Sequence, residues 1–248
     1  PHPFPKKMNS RILLTSLLFA GAPLLSAHPG YTVETVPFEK GIDAQVGGID
    51  VLKDGRLVVH HDASFDRYYG DSRKVADLTW VQIKQLRSTP GDLRPLDLEE
   101  FAAACHGKIA LMLDTKGPDH EVAFFQEMER ILKRHELLAT ALVIGTEQSK
   151  QYFHGKAKTS VNRRELEKAI RSAEEASRLY FLFEHGDMTD ETIALAQRHG
   201  VQIVPSINIF HYPQEQHLQR AETDIRRLRR LGVRCFQIDS AYEASCRP

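Results

Sequence analysis

The reactive side chains of this sequence gather just beyond short apolar runs. His61 and Asp62 follow Leu57–His60, and Asp114 and Lys116 follow Ile109–Leu113. Glu184 and His185 follow Leu179–Phe183, and Asp239 follows Cys235–Ile238. An imidazole titrates near neutrality and can give or take a proton during a reaction. Carboxylate oxygens suit a hard divalent cation, and an ammonium group suits an anion. The set implies an anionic substrate, a cation that neutralises it and a histidine that moves a proton.

The apolar runs read as β-strands, with Ala141–Ile144, Thr159–Val161 and Gln202–Ile209 as further members. Amphipathic stretches separate them. In Glu121–Leu138 the apolar residues Phe124, Phe125, Met128, Ile131 and Leu132 recur at helical spacing. A second helix is predicted over Asp190–His199, opening after Thr189 with acidic residues and closing with Arg198 and His199 before Gly200. A third, Gln214–Leu231, closes at Gly232. Strands alternating with helices imply a parallel sheet. Their number favours an α/β fold of the (β/α)8 TIM barrel type over an open sheet. No glycine-rich phosphate loop follows any strand, which argues against a nucleotide-binding sheet. In a barrel, side chains at the C-terminal ends of the strands share one mouth.

Composition is that of a globular chain: of 248 residues, 42% are hydrophobic and 27% charged. Basic and acidic residues both total 33, so no overall field favours nucleic acid or an anionic membrane. The basic run Arg226, Arg227, Arg229 and Arg230 reads as a solvated helix end. Cys105, Cys235 and Cys246 match no metal-binding spacing and read as reduced or buried thiols, with one bridge open to an oxidising compartment. Met8-Asn9-Ser10-Arg11 starts positively and leads into the apolar run Ile12–Leu25, which Gly21 and Pro23 interrupt before the small residues Ser26 and Ala27. This pattern predicts a secretory signal peptide ending at residue 27, and so a secreted or periplasmic protein. Residues 28–52 form an atypical segment, and the barrel is expected over 53–248.

Lys53-Asp54-Gly55-Arg56-Leu57-Val58-Val59-His60-His61-Asp62, followed by Phe65-Asp66-Arg67, resembles the glycerophosphodiester phosphodiesterase family. Val75-Ala76-Asp77-Leu78-Thr79, Arg94–Glu100, Lys108–Lys116 and Gly232–Asp239 are similar to further segments of that family in the same order. The resemblance implies a TIM barrel that cleaves a glycerophosphodiester to an alcohol and glycerol 3-phosphate, within lipid or glycerol metabolism. It also implies Ca²⁺ or Mg²⁺ and a pair of acid–base histidines. His61 corresponds to the second of these. Asp114 falls on a metal-binding carboxylate, Lys116 is placed to meet phosphate, and Asp62, Glu184 and His185 are expected near the site. His60 is expected in packing or behind the site.

One part of the family pattern is missing. The two carboxylates expected on the preceding strand fall on Val46 and Gly48, which cannot bind a metal, and a shift of two residues recovers only Asp50. His28-Pro29-Gly30 resembles the family's opening histidine motif but stands too close to His61 for the strand, helix and strand that should intervene. Gly30–Val59 is also similar to the start of secreted β-propeller proteins of the sugar-dehydrogenase-like sort, and the two resemblances meet in Lys53–Val59. The expected metal site is therefore incomplete. The barrel should have a gap, with residues 31–52 poorly packed. The principal expectation is a phosphodiesterase acting on a small glycerophosphodiester, with no nucleic-acid partner and no stable membrane insertion. The alternative is a barrel that only binds phosphate-containing ligands.

Overall fold

The computed structural model describes residues 48–89, 91–117, 119–170 and 173–246. The expected signal peptide, His28, Val46 and residues 31–47 lie outside the described residues. Strand β1 (Ile49–Val51) turns back antiparallel into β2 (Leu57–Val59). Gly55, at φ 79°, takes the left-handed conformation that this turn needs, and its N–H donates to the Leu52 carbonyl at 2.8 Å. A small ribbon follows, made of β3 (Ser64–Phe65), α1 (Asp66–Tyr69) and β4 (Asp71–Lys74). After α2 (Trp80–Ile83), β5 (Leu96–Asp97) pairs antiparallel with β2 and leads into α3 (Leu98–Cys105).

From there strands and helices alternate. The elements are β6 (Met112–Asp114), α4 (Val122–Arg134), β7 (Leu142–Ile144), α5 (Glu147–Phe153), β8 (Lys158–Val161), α6 (Arg163–Ala169) and α7 (Ala173–Leu179). The second half holds β9 (Tyr180–His185), α8 (Asp190–Arg198), β10 (Gln202–Ile207), α9 (His217–Arg230), β11 (Gln237–Ile238) and α10 (Glu243–Cys246). Strands β6 to β11 form one parallel sheet in sequence order, with helices in the connections between neighbouring strands. A parallel bridge from Ile49 to Thr115 attaches β1 to the outer edge of β6. The sheet curls into part of a TIM barrel. Among the described residues β11 and β1 do not pair, so the ring is incomplete.

Two sequence expectations need correction. Leu57–Val59 is not a barrel strand but the return arm of a hairpin, and the parallel neighbour of β6 is the short β1. Nor is the described end of the N-terminal segment poorly packed, because Ile49 and Leu52 are both buried. Ile49 joins Leu57, Val59, Leu98, Phe101 and Phe125 in the core between the sheet and α3 to α5. A second core lies between the later strands and α8 and α9, around Leu182, Ile193, Ile225 and Phe236. The opposite face of the sheet carries a smaller cluster of Leu142, Phe181 and Val204 flanked by Met112, Ile144 and Phe183. Strand alternation thus assigns Asp114 and His185 to this inner face, two residues beyond Met112 and Phe183.

Candidate active site

The hairpin places the His61 segment. Asp54 accepts a hydrogen bond from the N–H of Trp80 at 2.9 Å and so fixes the start of α2 against the turn. Arg56 donates to Asp97 at 2.6 Å, and Asp97 also caps α3 by accepting from the N–H of Glu100 at 2.7 Å. Much of the Asp54-Gly55-Arg56 stretch is therefore scaffold. The returning arm ends where the N–H of His60 donates to the carbonyl of Gly48 at 2.9 Å. His60 is buried, stacks on Phe65 with ring centroids 4.2 Å apart, and donates from Nε2 to the carbonyl of Ser64 at 2.8 Å. Burial holds its imidazole below the ordinary 6.5. It is a packing residue that supports the next one.

His61 projects outward, its side chain 55% exposed, and its Nδ1 donates to Asp62 at 2.6 Å. That bond engages Nδ1 and leaves Nε2 as the ring nitrogen that can exchange a proton with a ligand. The hydrogen bond from His61 holds the Asp62 carboxyl below its ordinary range. Asp62 thus stays anionic and stabilises positive charge on the ring.

The second half of the site arrives from β6. Because Ile49 bridges Thr115 and the N–H of Lys116 donates to the Ile49 carbonyl at 3.2 Å, Gly48 and Asp114 stand at the same level. Lys116 Nζ donates to Asp114 at 2.5 Å, and its stem lies over Gly48. A Cβ placed on Gly48 would come within 2.6 Å of Lys116 Cγ and 2.7 Å of the His60 carbonyl oxygen. Gly48 is thus the point at which the two segments close on each other.

The remaining expected residues divide. Asp50 accepts from the N–H of Val51 at 2.7 Å. Glu184 lies on the opposite side of β9 from His185, and accepts from the N–H of Arg163 at the start of α6. Its role is to hold a helix, not to face the mouth. His185 is on the inner side, where Nδ1 donates to Asp187 at 2.6 Å and the ring lies 4.1 Å from His211 and 5.5 Å from Tyr212. Asp239 accepts from the N–H of Ile209 at 2.6 Å, tying β11 to the loop after β10. Sequence reasoning did not single out His211, although it stands two residues beyond the apolar run Gln202–Ile209, and it read Gly48 only as a missing ligand; the importance of that glycine shows only when its neighbours are known. The basic run is more than a solvated helix end, since Arg227 donates to the carbonyls of Gly186 and Met188 and to Asp190. Cys105 and Cys235 are free thiols, and burial raises that of Cys105 to about 11. The side chain of Cys246 lies outside the described residues.

A curled parallel sheet with an imidazole, an ammonium and carboxylates near its strand ends defines an α/β protein of the TIM-barrel class. The sequence profile of the Glycerophosphoryl diester phosphodiesterase family matches residues 48–236. The chain belongs to this family, and by that membership it is a phosphoric diester hydrolase. Solved structures share the fold. A glycerophosphoryl diester phosphodiesterase from Parabacteroides distasonis is 19% identical with a TM-score of 0.58, covering 81% of this chain and 75% of that one. A putative glycerophosphodiester phosphodiesterase from Galdieria sulphuraria is 17% identical with a TM-score of 0.59, covering 80% and 82%. The enzyme from Thermotoga maritima is 17% identical with a TM-score of 0.54, covering 78% and 80%. No described helix is long and apolar enough to cross a membrane.

Members of this family generally use a divalent cation. The described residues do not fit one: Asp114 is already paired with an ammonium, Asp50 is bonded to its own strand, and Gly48 offers no ligand. Among the described residues no group of three or more His, Cys, Asp or Glu side chains is placed to hold a metal ion.

Proposed function

We propose that this chain hydrolyses a small glycerophosphodiester to an alcohol and glycerol 3-phosphate, with His61 as the proton-transfer group and Lys116 as the phosphate contact. The observation that carries this reading is the closure at Gly48, where the His60 backbone and the Lys116 stem meet across one glycine. It joins the segment ending in His61 to the segment ending in Lys116. Water adds to phosphorus, the P–O bond to the alcohol breaks, and a proton must reach the departing alkoxide. The His61 Nε2–H can deliver it, with Asp62 stabilising the imidazolium before transfer. Lys116 neutralises charge on the non-bridging oxygens. Such a product would enter lipid or glycerol metabolism. The signal-peptide pattern of residues 8–27 supports a secreted or periplasmic site of action.

Family membership favours this enzyme over the binding-only barrel. Release of glycerol 3-phosphate from glycerophosphocholine, measured with and without added Mg²⁺ or Ca²⁺, tests the reading. Turnover by the wild type that His61→Ala abolishes is the expected result. Equal rates in the two proteins, or no release under any condition, would overturn it.

A further inference from the structure

We propose that the Lys116 ammonium, clamped by Asp114 over Gly48, is itself the counter-charge for the phosphodiester, and that anion binding here proceeds without a divalent cation. The inference rests on the reading that this site acts on phosphodiesters, and it departs from the family's general use of metal.

Volume makes the first part of the case. A Cβ on Gly48 would lie 2.6 Å from Lys116 Cγ and 2.8 Å from Cε, distances that no packed side chain tolerates. The lysine stem therefore occupies the space that a side chain at position 48 would need. On the far side the His60 carbonyl oxygen stands 2.7 Å away, so the backbone also closes on this point. Glycine at 48 and lysine at 116 are complementary shapes: the one makes the groove that the other fills.

Charge makes the second part. Lys116 Nζ lies 2.5 Å from Asp114 Oδ2, so the carboxylate is already neutralised. A hard cation seeks six or more oxygen ligands, about six for Mg²⁺ and roughly six to eight for Ca²⁺. Among the described residues it would find the Asp114 carboxylate here, with an ammonium at contact distance repelling it. An anion finds the reverse. The Lys116 side chain is 35% exposed, and an ammonium that spends one proton on Asp114 has two more to donate. Fixing the ammonium in advance lowers the entropy lost when the anion arrives. His61 directly follows His60, whose carbonyl forms one wall of the same closure.

The test uses the full chain, freed of metal by dialysis against a chelator, and glycerol 3-phosphate as the probe in a calorimetric titration. Binding should persist in chelator and change by less than about twofold on adding Mg²⁺ or Ca²⁺. Lys116→Met keeps the apolar stem over Gly48 while removing the charge, so the fold is retained, and binding should weaken by roughly tenfold to a hundredfold, as loss of a charged hydrogen bond implies. Titrating either metal alone into the wild type should give no saturable heat. Stoichiometric metal binding, phosphate binding that vanishes in chelator, or a Lys116→Met protein that binds as the wild type does would each overturn the proposal. The hydrolase reading fails separately, through absence of turnover with and without metal. Turnover that strictly needs metal would sink this inference and leave the hydrolase standing.

Discussion

Among the described residues two histidine–aspartate pairs share a short Nδ1–carboxylate contact, and their surroundings are opposite. In each, the imidazole Nδ1 lies 2.6 Å from an aspartate oxygen. At the front, beside the N-terminal hairpin, His61 is 55% exposed and Asp62 27%; at the back, beside the later strands β9 and β10, His185 is 30% exposed and Asp187 74%. The front carboxylate is the anchored member and the ring is free to reach a substrate. At the back the ring is packed against His211 and Tyr212, while the carboxylate stands in water, where such a pair contributes little. The comparison teaches that a pair can act as an acid–base device only when the carboxylate is held and the imidazole is presented.

The most direct way to break this contrast is to remove each ring. His61→Ala should lower kcat on glycerophosphocholine by roughly 10²- to 10⁴-fold, the range for loss of a positioned acid or base. His185→Ala should cost less than about tenfold, through loss of packing near the loop after β9. Steady-state rates on the two purified variants decide it, and equal losses would mean that exposure is the wrong criterion.

A second difference lies in how the two regions are anchored. The front hairpin hangs on the buried Asp97, which binds Arg56 and caps α3. The back is tied by Arg227 to Gly186, Met188 and Asp190. Asp97→Ala should destabilise the protein by about 2 kcal/mol, since it removes a helix cap and a charged hydrogen bond together. Arg227→Ala should cost about 1 kcal/mol, because solvent can replace its partners. Urea midpoints measure both. A larger loss for Arg227→Ala would reverse the ranking of the two anchors.

The fold and the front pair were legible in the sequence for different reasons from those that hid the rest. Strand-and-helix alternation after residue 108 gave the parallel sheet, because buried parallel strands must be short apolar runs. His61-Asp62 was legible because an ordered series of segments surrounds it. β1 was hidden: Ile49, Asp50 and Val51 are too few to establish a strand period by themselves, and a single bridge makes them part of the sheet. Glu184 was grouped with His185 by proximity, although strand alternation from Phe181 and Phe183 already separates the two faces. The Gly48–Lys116 fit was illegible, since it depends on a close approach between residues far apart in the chain.

Acid titration separates the two regions more gently. Burial is the main reason that His60 at the front and His211 at the back both titrate below the ordinary 6.5. For a base with a lowered folded pKa, the unfolded chain takes up protons first as pH falls below 6.5. Stability is thus full above that pH and is lost as pH falls through the folded values. His211 also feels the neighbouring His185, so protonation there is opposed by a second ring. His60→Gln and His211→Gln should each flatten the decline of melting temperature between pH 7 and 5. A decline that survives in both variants would assign acid sensitivity to other groups.

The smallest effect sharpens the packing at the front. Thr115 stands between Asp114 and Lys116 but on the outer side of the strand, and its hydroxyl is buried with no hydrogen-bond partner among the described residues. Gly145, at φ 109°, lies against it, and a Cβ there would be 2.6 Å from the Thr115 hydroxyl oxygen. Glycine there lets the ends of β6 and β7 come together. A buried polar group without a partner costs about 1 kcal/mol or more, so Thr115→Val should raise stability by about 1 kcal/mol. Because the side chain points away from Lys116, kcat should stay within about twofold of the wild type, a change worth less than 1 kcal/mol. A stability loss on urea unfolding would show that the hydroxyl has a partner in solution, and a fall in kcat would show that the outer side of β6 helps to position Asp114 and Lys116.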